Sequence, residues 1–359
     1  MGYERKEIAR TPGYKQGKQP TDAGVVKLNT NENPFPPCRA VIEALHDIDP
    51  ESLRRYPPPF ADAFREVAAG IHGLRPENVM AVNGGDELLR LAITTFVDPG
   101  RTIGIIEPSY LLYRVLGELH GGRVVGVEAA SDWLLPRDFA AMMNREKAQL
   151  TIIVNPHAPS GVLTSDVALA ELATRLEGVL LLDEAYADFV DPSRGYNALK
   201  LIDRCDNLLV LRSLSKGYSL AGLRFGYGLG AQGLIEPMLT KTRDSYNVDA
   251  VAQKLALTAL KNRDSARETW KKVREERGRL RAALIDLGML VPESESNFLL
   301  AQIKPGAVSA RRVYQELENR RIFVRYFDHP RLRDHLRISI GTVEQNDRLI
   351  EELKEILKG

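Results

Sequence analysis

Six short, nearly continuous apolar runs constrain the fold more than any other feature of the sequence. They end in polar or glycine-rich turns and cover residues 79–85, 102–109, 123–129, 150–156, 179–186 and 207–215. Segments with apolar residues at helical spacing, such as 86–96 and 165–177, lie between them. Strands that are apolar on both faces and alternate with helices predict a mostly parallel sheet covered by helices on both sides.

The C-terminal third of the chain has a different texture. Residues 249–287 are helical in pattern, with a break predicted near Asp264. Two strands, each followed by a helix, are predicted at 296–303, 307–320, 336–341 and 344–357. This order predicts a second, smaller α+β unit.

Length and pattern together predict a division of the chain into two domains and an arm. At 359 residues the chain exceeds the size at which one hydrophobic core stays simple. We expect a large α/β domain over residues 31–247 and a small α+β domain over 248–359. Residues 1–30 show weak periodicity, and we expect them to form an arm that packs on the small domain or on a partner subunit.

Composition and charge exclude several classes of function. The 49 Lys and Arg residues are balanced by 48 Asp and Glu residues, so the chain has no strong positive field for nucleic acid or anionic lipid. Cys38 and Cys205 have no CxxC partner, which argues against a disulfide framework or a metal site. The charged N-terminus and the absence of a long apolar stretch lead us to expect a cytoplasmic protein.

Polar motifs follow five of the predicted strands. They are NGGDE (83–87), PSY (108–110), NPHAPSG (155–161), DEAY (183–186) and SLSK (213–216). Each motif alone is most simply a turn. Because ligands bind at the carboxyl edge of open α/β sheets, five such motifs at one edge predict a binding site.

Asp183, Tyr186 and Lys216 suggest the chemistry of this site. Asp183 ends an apolar run, and a buried carboxylate is costly unless it meets a cation or hydrogen-bond donors. An isolated aspartate there would most simply cap a helix or pair with an arginine. With Tyr186 three residues on and Lys216 after the next strand, the set instead fits a pyridinium ring, with Asp183 at the ring nitrogen and Tyr186 at a ring oxygen.

Lys216 lies among donors that suit a phosphate group. Ser213, Ser215 and Arg224 surround it in the sequence RSLSKGYSLAGLRFG. A lysine must lose its proton to act as a nucleophile, and burial and neighbouring cations favour that loss. The nearby GYGLG (226–230) resembles a dinucleotide fingerprint but lacks its context, so we interpret it as a strand.

The chain resembles the fold-type I pyridoxal-phosphate (PLP) aminotransferases, most closely the histidinol-phosphate aminotransferase group. The motifs that carry the resemblance are LNTNENP (28–34), RYP (55–57), GGDE (84–87), PSY (108–110), DEAY (183–186), SLSKGYSLAGLRFGY (213–227), SNFLLA (296–301) and LRISIGT (336–342). The resemblance implies an α/β fold of type I, whose large domain has a mostly parallel seven-stranded sheet and is followed by a smaller α+β C-terminal domain.

The resemblance also implies roles for individual residues around the cofactor ring. Lys216 would carry pyridoxal 5'-phosphate as a Schiff base and later transfer a proton. Asp183 would pair with the ring nitrogen and Tyr186 with the phenolic oxygen, while Tyr110 would stack on the ring face.

The implied phosphate and substrate sites are assigned in the same way. The phosphate would be held by Gly85, Asp86, Ser213, Ser215 and Arg224 and by Tyr56 from the other subunit. The last contact implies a homodimer with shared active sites. The substrate would be bound by Arg337, Arg325 and Asn31, with Arg337 on the α-carboxylate and Arg325 on a phosphate or distal carboxylate.

One motif departs from the family pattern. Where the family reads NPNNPTG, this chain reads NPHAPSG, with Ala158 in place of the asparagine that donates to the cofactor's phenolic oxygen. Alanine cannot donate, so Tyr186 would act alone, or His157 or a water would substitute.

The leading prediction for function is transamination of histidinol phosphate with 2-oxoglutarate, in histidine biosynthesis. An aromatic amino acid aminotransferase is a close alternative, and a phospho-threonine decarboxylase of cobalamin biosynthesis is an alternative of another reaction class. A third alternative, a PLP-binding regulator without activity, is disfavoured because Lys216 is intact and no DNA-binding domain is appended. The expected partners are small amino acids and keto acids, without nucleic acid or membrane.

Overall fold

The computed structural model describes residues 2–22, 24–304, 306 and 308–358. The strands of this part of the chain are β1 (Val26–Lys27), β2 (Val79–Val82), β3 (Thr102–Glu107), β4 (Arg123–Glu128), β5 (Ala148–Val154), β6 (Val179–Asp183), β7 (Leu208–Ser213), β8 (Gly226–Gly230), β9 (Phe298–Gln302), β10 (Ile322–Phe323), β11 (Arg325–Tyr326) and β12 (His335–Ser339). The α-helices are α1 (Lys6–Arg10), α2 (Arg39–His46), α3 (Asp62–His72), α4 (Gly84–Phe96), α5 (Leu112–His120), α6 (Phe139–Arg145), α7 (Asp166–Arg175), α8 (Gln232–Pro237), α9 (Ala250–Lys261), α10 (Arg263–Asp286), α11 (Ala310–Asn319) and α12 (Val343–Lys358). Short 3-10 turns lie at Pro50–Arg54, Pro76–Asn78, Ala187–Phe189, Pro192–Arg194, Ala198–Leu201 and Ala221–Leu223, and a π-helical turn at Met238–Thr242.

Seven strands form the central sheet, in the order β2-β8-β7-β6-β5-β3-β4. β8 is antiparallel to both of its neighbours, and the other pairings are parallel. Six strands therefore run in one direction, which confirms the predicted mostly parallel sheet. β8 is the GYGLG segment, and all five of its residues are buried.

Helices cover both faces of this sheet, as the apolar strands predict. Apolar side chains of α4, α5 and α8 pack on one face, and those of α3, α6, α7 and α9 on the other. Two of these helices begin with the side-chain caps expected at helix N-termini: Ser165 accepts from the amide of Ala168, and Asp249 from that of Ala252. The covered sheet is the rigid base on which the candidate site is built.

Two strands end earlier than their apolar runs suggest. β2 ends at Val82 and β6 at Asp183. The residues that follow β2 open helix α4, whose first residue, Gly84, has a φ of 75°. The residues that follow β6 form a turn, in which the Ala185 amide donates to Asp183 Oδ1. The residues of both motifs beyond these strand ends therefore lie in a helix start and a turn at the edge of the sheet.

The C-terminal region forms a smaller antiparallel sheet in the order β11-β12-β9. Helices α10, α11 and α12 pack against it through buried apolar residues such as Leu280, Val313 and Leu353. The two predicted strands and two predicted helices are present as β9, α11, β12 and α12, and two short strands that were not predicted, β10 and β11, lie between α11 and β12. The break in the long helical region lies at Asn262, whose φ of −107° and ψ of 32° separate α9 from α10.

The N-terminal segment contacts both parts of the molecule. Arg5 donates to the carbonyl of Leu119 on α5 (2.9 Å), and the Tyr14 ring lies 5.5 Å from the Tyr110 ring. Further along, β1 pairs in parallel with β10 of the C-terminal region. Across the described ranges, no helix has both the length and the apolar character needed to cross a membrane.

Candidate active site

The polar motifs meet at one edge of the central sheet. Because β2, β3, β5, β6 and β7 run in the same direction, the residues that follow them lie at their common carboxyl edge. β8 runs the other way and so begins at this edge, directly after Arg224 and Phe225. The expectation that five motifs share one edge is confirmed, and it is where α/β sheets bind ligands.

Lys216 is held between this edge and the segment that contains LNTNENP. Its Nζ donates to the carbonyl of Thr30 (3.0 Å), and the side chain of Asn33 donates to the Lys216 carbonyl (3.1 Å). Burial, helped by the cations of Arg337 and Arg224, lowers the pKa of Lys216 to about 8. About a tenth of the amine is therefore in the neutral, nucleophilic form at pH 7.

Asp183 is almost completely buried, at 6% exposure, where β6 ends. Its Oδ2 accepts from the hydroxyl of Tyr113 (2.6 Å), and its Oδ1 from the amide of Ala185 (3.0 Å). Burial raises the pKa of Asp183 to about 6, and these two hydrogen bonds oppose the rise. The carboxylate is therefore ionised above about pH 6, and it suits a cation.

Tyr186 lies near Asp183 and is bonded to Asn31. The Asn31 amide donates to the Tyr186 hydroxyl (3.0 Å), and Asn31 Oδ1 accepts from Ser339 Oγ (3.1 Å). Asn31 is 1% exposed and has a φ of 54°. The predicted substrate residue Asn31 thus bridges β12 to the edge of the central sheet. Since the Tyr186 oxygen accepts from Asn31, its own proton is available for another acceptor.

An anion cradle lies where α4 begins. A Cβ atom added to Gly84 would lie 2.7 Å from Arg224 Nη2, and one added to Gly226 would lie 3.0 Å from the Gly85 nitrogen. Arg224 Nη2 pairs with Asp86 Oδ2 (3.3 Å), and Ser213 Oγ accepts from the Ser215 amide (3.1 Å). The N-terminal amides of a helix, a guanidinium and two hydroxyl groups are donors that phosphate prefers, so these residues fit a phosphorylated cofactor.

Arg325 and Arg337 form a pair of cations on the small sheet. They are directly opposite each other in the β11–β12 register, so their side chains lie on the same face. Arg337 Nη2 donates to the carbonyl of Asn29 (3.0 Å), while its buried Nε has no partner among the described residues. Within that same part of the chain, neither guanidinium is paired with a carboxylate. Two neighbouring unpaired cations favour a ligand with anionic groups.

Tyr56 has a different environment from the other predicted residues. It is 78% exposed and stacks on Tyr246, with ring centroids 4.3 Å apart and an interplanar angle of 14°. Tyr110, by contrast, is partly buried beside Tyr113 and its hydroxyl lies 3.4 Å from Asp86 Oδ1. The structure thus leaves Tyr56 at the surface of the single chain.

His157 does not take the place of the missing asparagine as a donor. Its Nε2 contacts the carbonyl of Pro108 (3.1 Å) and its Nδ1 contacts Ser160 Oγ (2.8 Å). A carbonyl only accepts, so Nε2 carries the hydrogen and Nδ1 accepts from the serine. Burial lowers the pKa of His157 to about 4, which keeps the ring neutral. Both ring nitrogens are therefore engaged, and Ala158 beside it is buried without a donor.

Four residues that contact this site were not predicted from the sequence. They are Tyr14, Thr30, Asn33 and Tyr113. Thr30 and Asn33 lie within LNTNENP, so closer attention to that motif would have included them. Tyr113 follows Tyr110 by one helical turn, a spacing that puts the two on the same side of a helix. Tyr14 lies in a segment without periodicity and gave no signal.

Comparison with known proteins identifies the family. Residues 23–353 match the family model described as aminotransferase class I and II. The histidinol-phosphate aminotransferase of Microcystis aeruginosa is 39% identical over 98% of this chain and 97% of its own length, and that of Geotalea uraniireducens is 42% identical over 98% and 99%. The crystal structure of the Sinorhizobium meliloti histidinol-phosphate aminotransferase, in complex with pyridoxal-5'-phosphate, aligns with a TM-score of 0.87 at 26% identity, covering 92% of this chain and 90% of that one. The chain therefore belongs to the class I and II aminotransferases and, within them, to the histidinol-phosphate aminotransferase family.

Proposed function

We propose that this protein is a PLP-dependent enzyme that interconverts histidinol phosphate and imidazole acetol phosphate, with glutamate and 2-oxoglutarate as the second amino donor and acceptor. The observation that carries the proposal is the unpaired Arg325–Arg337 pair near Lys216. One of these substrates has a phosphate and the other has two carboxylates, so each has an anionic group for a guanidinium. The names of relatives that are 39% and 42% identical over nearly the whole chain support the same substrates.

The cofactor residues are proposed from the geometry of the sheet edge. The amides of Gly85 and Asp86, the hydroxyls of Ser213 and Ser215 and the guanidinium of Arg224 would hold the phosphate. Tyr110 would lie against the ring face, Asp183 at the ring nitrogen and Tyr186 at the phenolic oxygen. Pyridoxal phosphate, when bound, supplies an electron-withdrawing ring that stabilises negative charge on the substrate carbon that bears the amino group.

Lys216 would act as nucleophile and as proton carrier. Its lowered pKa of about 8 supplies a neutral amine for covalent attachment of the cofactor. With the substrate bound, the same Nζ would accept the proton from the amino-bearing carbon. The carbonyl of Thr30 accepts from Nζ and so limits the directions in which the amine points.

Asp183 and Tyr186 would fix the charge at the two ends of the cofactor site. An ionised Asp183 favours a protonated ring nitrogen, since the two groups then carry opposite charges at close range in a buried site. Because Asn31 donates to the Tyr186 oxygen, the Tyr186 hydroxyl can donate to the phenolic oxygen. With Ala158 in this chain, and with His157 engaged elsewhere, Tyr186 would be the donor that remains on this side.

The second arginine separates the candidate substrates. Arg337 would grip the α-carboxylate of glutamate, and Arg325 the phosphate of histidinol phosphate or the distal carboxylate of glutamate. Phe298 and Phe327 lie 5.3 and 5.5 Å from the Arg337 guanidinium and give the site an apolar wall for a flat ring. An aromatic amino acid would use that wall too, but its single carboxylate would be held by Arg337, whereas a phosphate dianion has the charge and the oxygens to accept from both guanidinium groups.

The test is a substrate panel of histidinol phosphate, phenylalanine, tyrosine and phospho-threonine, with keto products and carbon dioxide both measured. We expect histidinol phosphate to be transaminated with the highest kcat/KM. Faster turnover of phenylalanine or tyrosine would favour the aromatic enzyme. Carbon dioxide from phospho-threonine would favour the decarboxylase, and a protein that binds PLP without any turnover would favour a regulator.

Replacing Arg325 by Ala sharpens this panel. Loss of a charge-assisted hydrogen bond is worth about 1.5–3 kcal/mol, so kcat/KM for histidinol phosphate should fall about ten- to hundredfold. Phenylalanine should lose less, since its only anionic group is the carboxylate, which we assign to Arg337. Arg333, which is exposed, is the matched control. An equal loss for both substrates would remove the assignment of Arg325 to the phosphate.

We propose a homodimer in which Tyr56 reaches the phosphate site of the partner subunit. Tyr56 belongs to an exposed apolar surface that we call the α2 face, made of Ile42, Leu45, Leu53, Tyr56, Phe60 and Tyr246. Two contacts hold the segment around Tyr56 against the residues before and within α9. Gln253 donates to the carbonyl of Pro58, and the Arg243 guanidinium lies 4.6 Å from the centre of the Phe60 ring. Exposed apolar patches of this kind mark interfaces between proteins.

We also propose a cytoplasmic location for this protein and a division of its chain into an arm and two domains. The division at residues 30 and 247 stays a prediction, and α9, which begins at Ala250 but packs on the central sheet, favours a boundary closer to α10.

A further inference from the structure

A buried tyrosine contacts the carboxylate at the centre of the candidate site. The Tyr113 hydroxyl donates to Asp183 Oδ2 at 2.6 Å. Tyr113 is fully buried and lies at the start of α5, whereas Asp183 ends β6. A phenol and a carboxylate at this distance form a strong, charge-assisted hydrogen bond when the carboxylate is ionised.

This bond fixes the direction of the carboxylate. Oδ1 accepts from the amide of Ala185 (3.0 Å) while Oδ2 accepts from Tyr113, so both oxygens have a defined donor. Each oxygen can accept more than one hydrogen bond, and capacity remains for a ligand. A buried carboxylate held in this way meets its ligand without having to reorient.

The same tyrosine supports the neighbouring aromatic residue. The rings of Tyr110 and Tyr113 are 5.4 Å apart and perpendicular, an arrangement that aromatic pairs favour. The Tyr113 amide also donates to the carbonyl of Tyr110 (3.1 Å). Tyr113 therefore contacts both the residue proposed at the ring face and the residue proposed at the ring nitrogen.

We infer that Tyr113 is a positioning residue, which holds Asp183 ionised and correctly oriented for the ring nitrogen of the cofactor before the cofactor binds. The inference rests on the proposed function, because it takes Asp183 as the partner of the ring nitrogen. Tyr113 acts through its hydrogen bond to Asp183, so this role requires no contact between Tyr113 and the cofactor.

The electrostatic surroundings of Asp183 make this hydrogen bond important. Burial raises the pKa of Asp183, and the nearby carboxylates of Asp86 and Glu184 raise it further. The hydrogen bonds from Tyr113 and from the Ala185 amide lower the pKa of Asp183, and the bond from Tyr113 has the larger effect of the two. Tyr186 and Tyr110 also face this site, and burial raises the pKa of both phenols, which keeps them neutral. Removing the Tyr113 hydroxyl should therefore leave Asp183 protonated at a higher pH.

The test begins with the apoprotein of the Tyr113→Phe variant, which keeps the ring and removes the oxygen. The infrared C=O stretch of protonated Asp183, assigned by its absence in Asp183→Asn, is followed against pH. Since a hydrogen bond to a charged group is worth about one to two pKa units, the midpoint should rise by that amount. An unchanged midpoint would overturn the inference.

The second readout is the ratio of PLP dissociation constants, variant over wild type, as a function of pH. In this ratio the contributions of Lys216 and of the cofactor's own groups cancel. If only ionised Asp183 pairs with a protonated ring nitrogen, the ratio should be about five- to fiftyfold at pH 6 and less than about twofold at pH 8.5. A merely structural defect would weaken binding equally at both pH values, and that result would also overturn the inference.

A neighbouring pair provides the matched control. The Tyr196 hydroxyl donates to Glu184 Oε1, so Tyr196→Phe removes the same kind of buried phenol–carboxylate bond one residue away from Asp183. This variant should leave the Asp183 midpoint and the PLP ratio unchanged, and the same changes as in Tyr113→Phe would overturn the inference. A Tyr113→Phe protein that does not fold would assign the contact to folding instead. A wild-type protein that takes up no PLP would refute the proposed function, while the infrared titration would still report on Tyr113.

Discussion

The lowered pKa of Lys216 gives a prediction that can be worked out in magnitude. Burial is the main cause, the cations of Arg337 and Arg224 add to it, and Glu32 opposes it, which brings the pKa to about 8. At pH 7 about a tenth of the amine is then neutral, against about 0.03% for a lysine with an ordinary pKa. The site thus makes the nucleophilic form roughly 300 times more abundant at pH 7.

The assay is rapid mixing of apoprotein with PLP, followed by the absorbance change of covalent attachment. Because only the neutral amine attacks the aldehyde, the rate constant should rise about tenfold per pH unit up to about pH 8 and then level off. Pyridoxal, which lacks the phosphate, is the control for titration of the cofactor's own phosphate group.

Replacing Arg337 by Met tests the cause of the lowered pKa. This variant removes one nearby cation, so the pKa of Lys216 should rise and the levelling should move to higher pH by about one unit. Arg333→Met, at an exposed position, controls for loss of an arginine elsewhere. A wild-type rate that still rises tenfold per unit at pH 10 would refute the reasoning about Lys216.

The same shift has a consequence for the stability of the apoprotein. Lys216 binds its proton less tightly in the folded state than in the unfolded state, so the free energy of unfolding should rise with pH between about 8 and 10.5. The difference is worth up to about 3 kcal/mol. Lys216→Met should remove this rise in denaturant unfolding measured across that range, and identical pH profiles for both proteins would contradict the assigned burial.

Two further predictions concern the phosphate cradle and the subunit interface. Gly84→Ala should weaken PLP binding, measured by equilibrium titration, and should destabilise the apoprotein by about 1–2 kcal/mol, because Gly84 has a φ of 75° and the new Cβ would lie 2.7 Å from Arg224. The control is Gly70→Ala, at a position on α3 with open space around it. Equal PLP binding by both variants would argue against the cradle. Mixing Tyr56→Ala subunits with Lys216→Ala subunits should restore tight PLP binding in half of the sites of the hybrid dimers, since one of the two sites then carries neither change. PLP binding no tighter than the average of the two single-variant homodimers would refute a shared site.

Much of the site could be predicted from the sequence because its parts are encoded locally. Asp183 and Tyr186 lie three residues apart after one strand, and Ser213, Ser215 and Lys216 follow the next. Parallel strands bring such motifs to one edge whatever the details of packing. The exact strand ends were less predictable, since β2 and β6 stop where glycine or a side-chain hydrogen bond starts a new element.

By itself, therefore, the sequence determined the alternating α/β architecture, the carboxyl-edge site and the family, because these follow from hydrophobic periodicity and from short motifs. Only the tertiary structure decided how the site residues are oriented. Tyr113 and Asp183 are separated by 70 residues, and Asn31 and Tyr186 by 155. The fold also decides that both ring nitrogens of His157 are hydrogen-bonded to Ser160 and Pro108. It places Arg325 opposite Arg337 on neighbouring strands. Contacts between distant segments depend on strand register and on packing, and no local pattern records either.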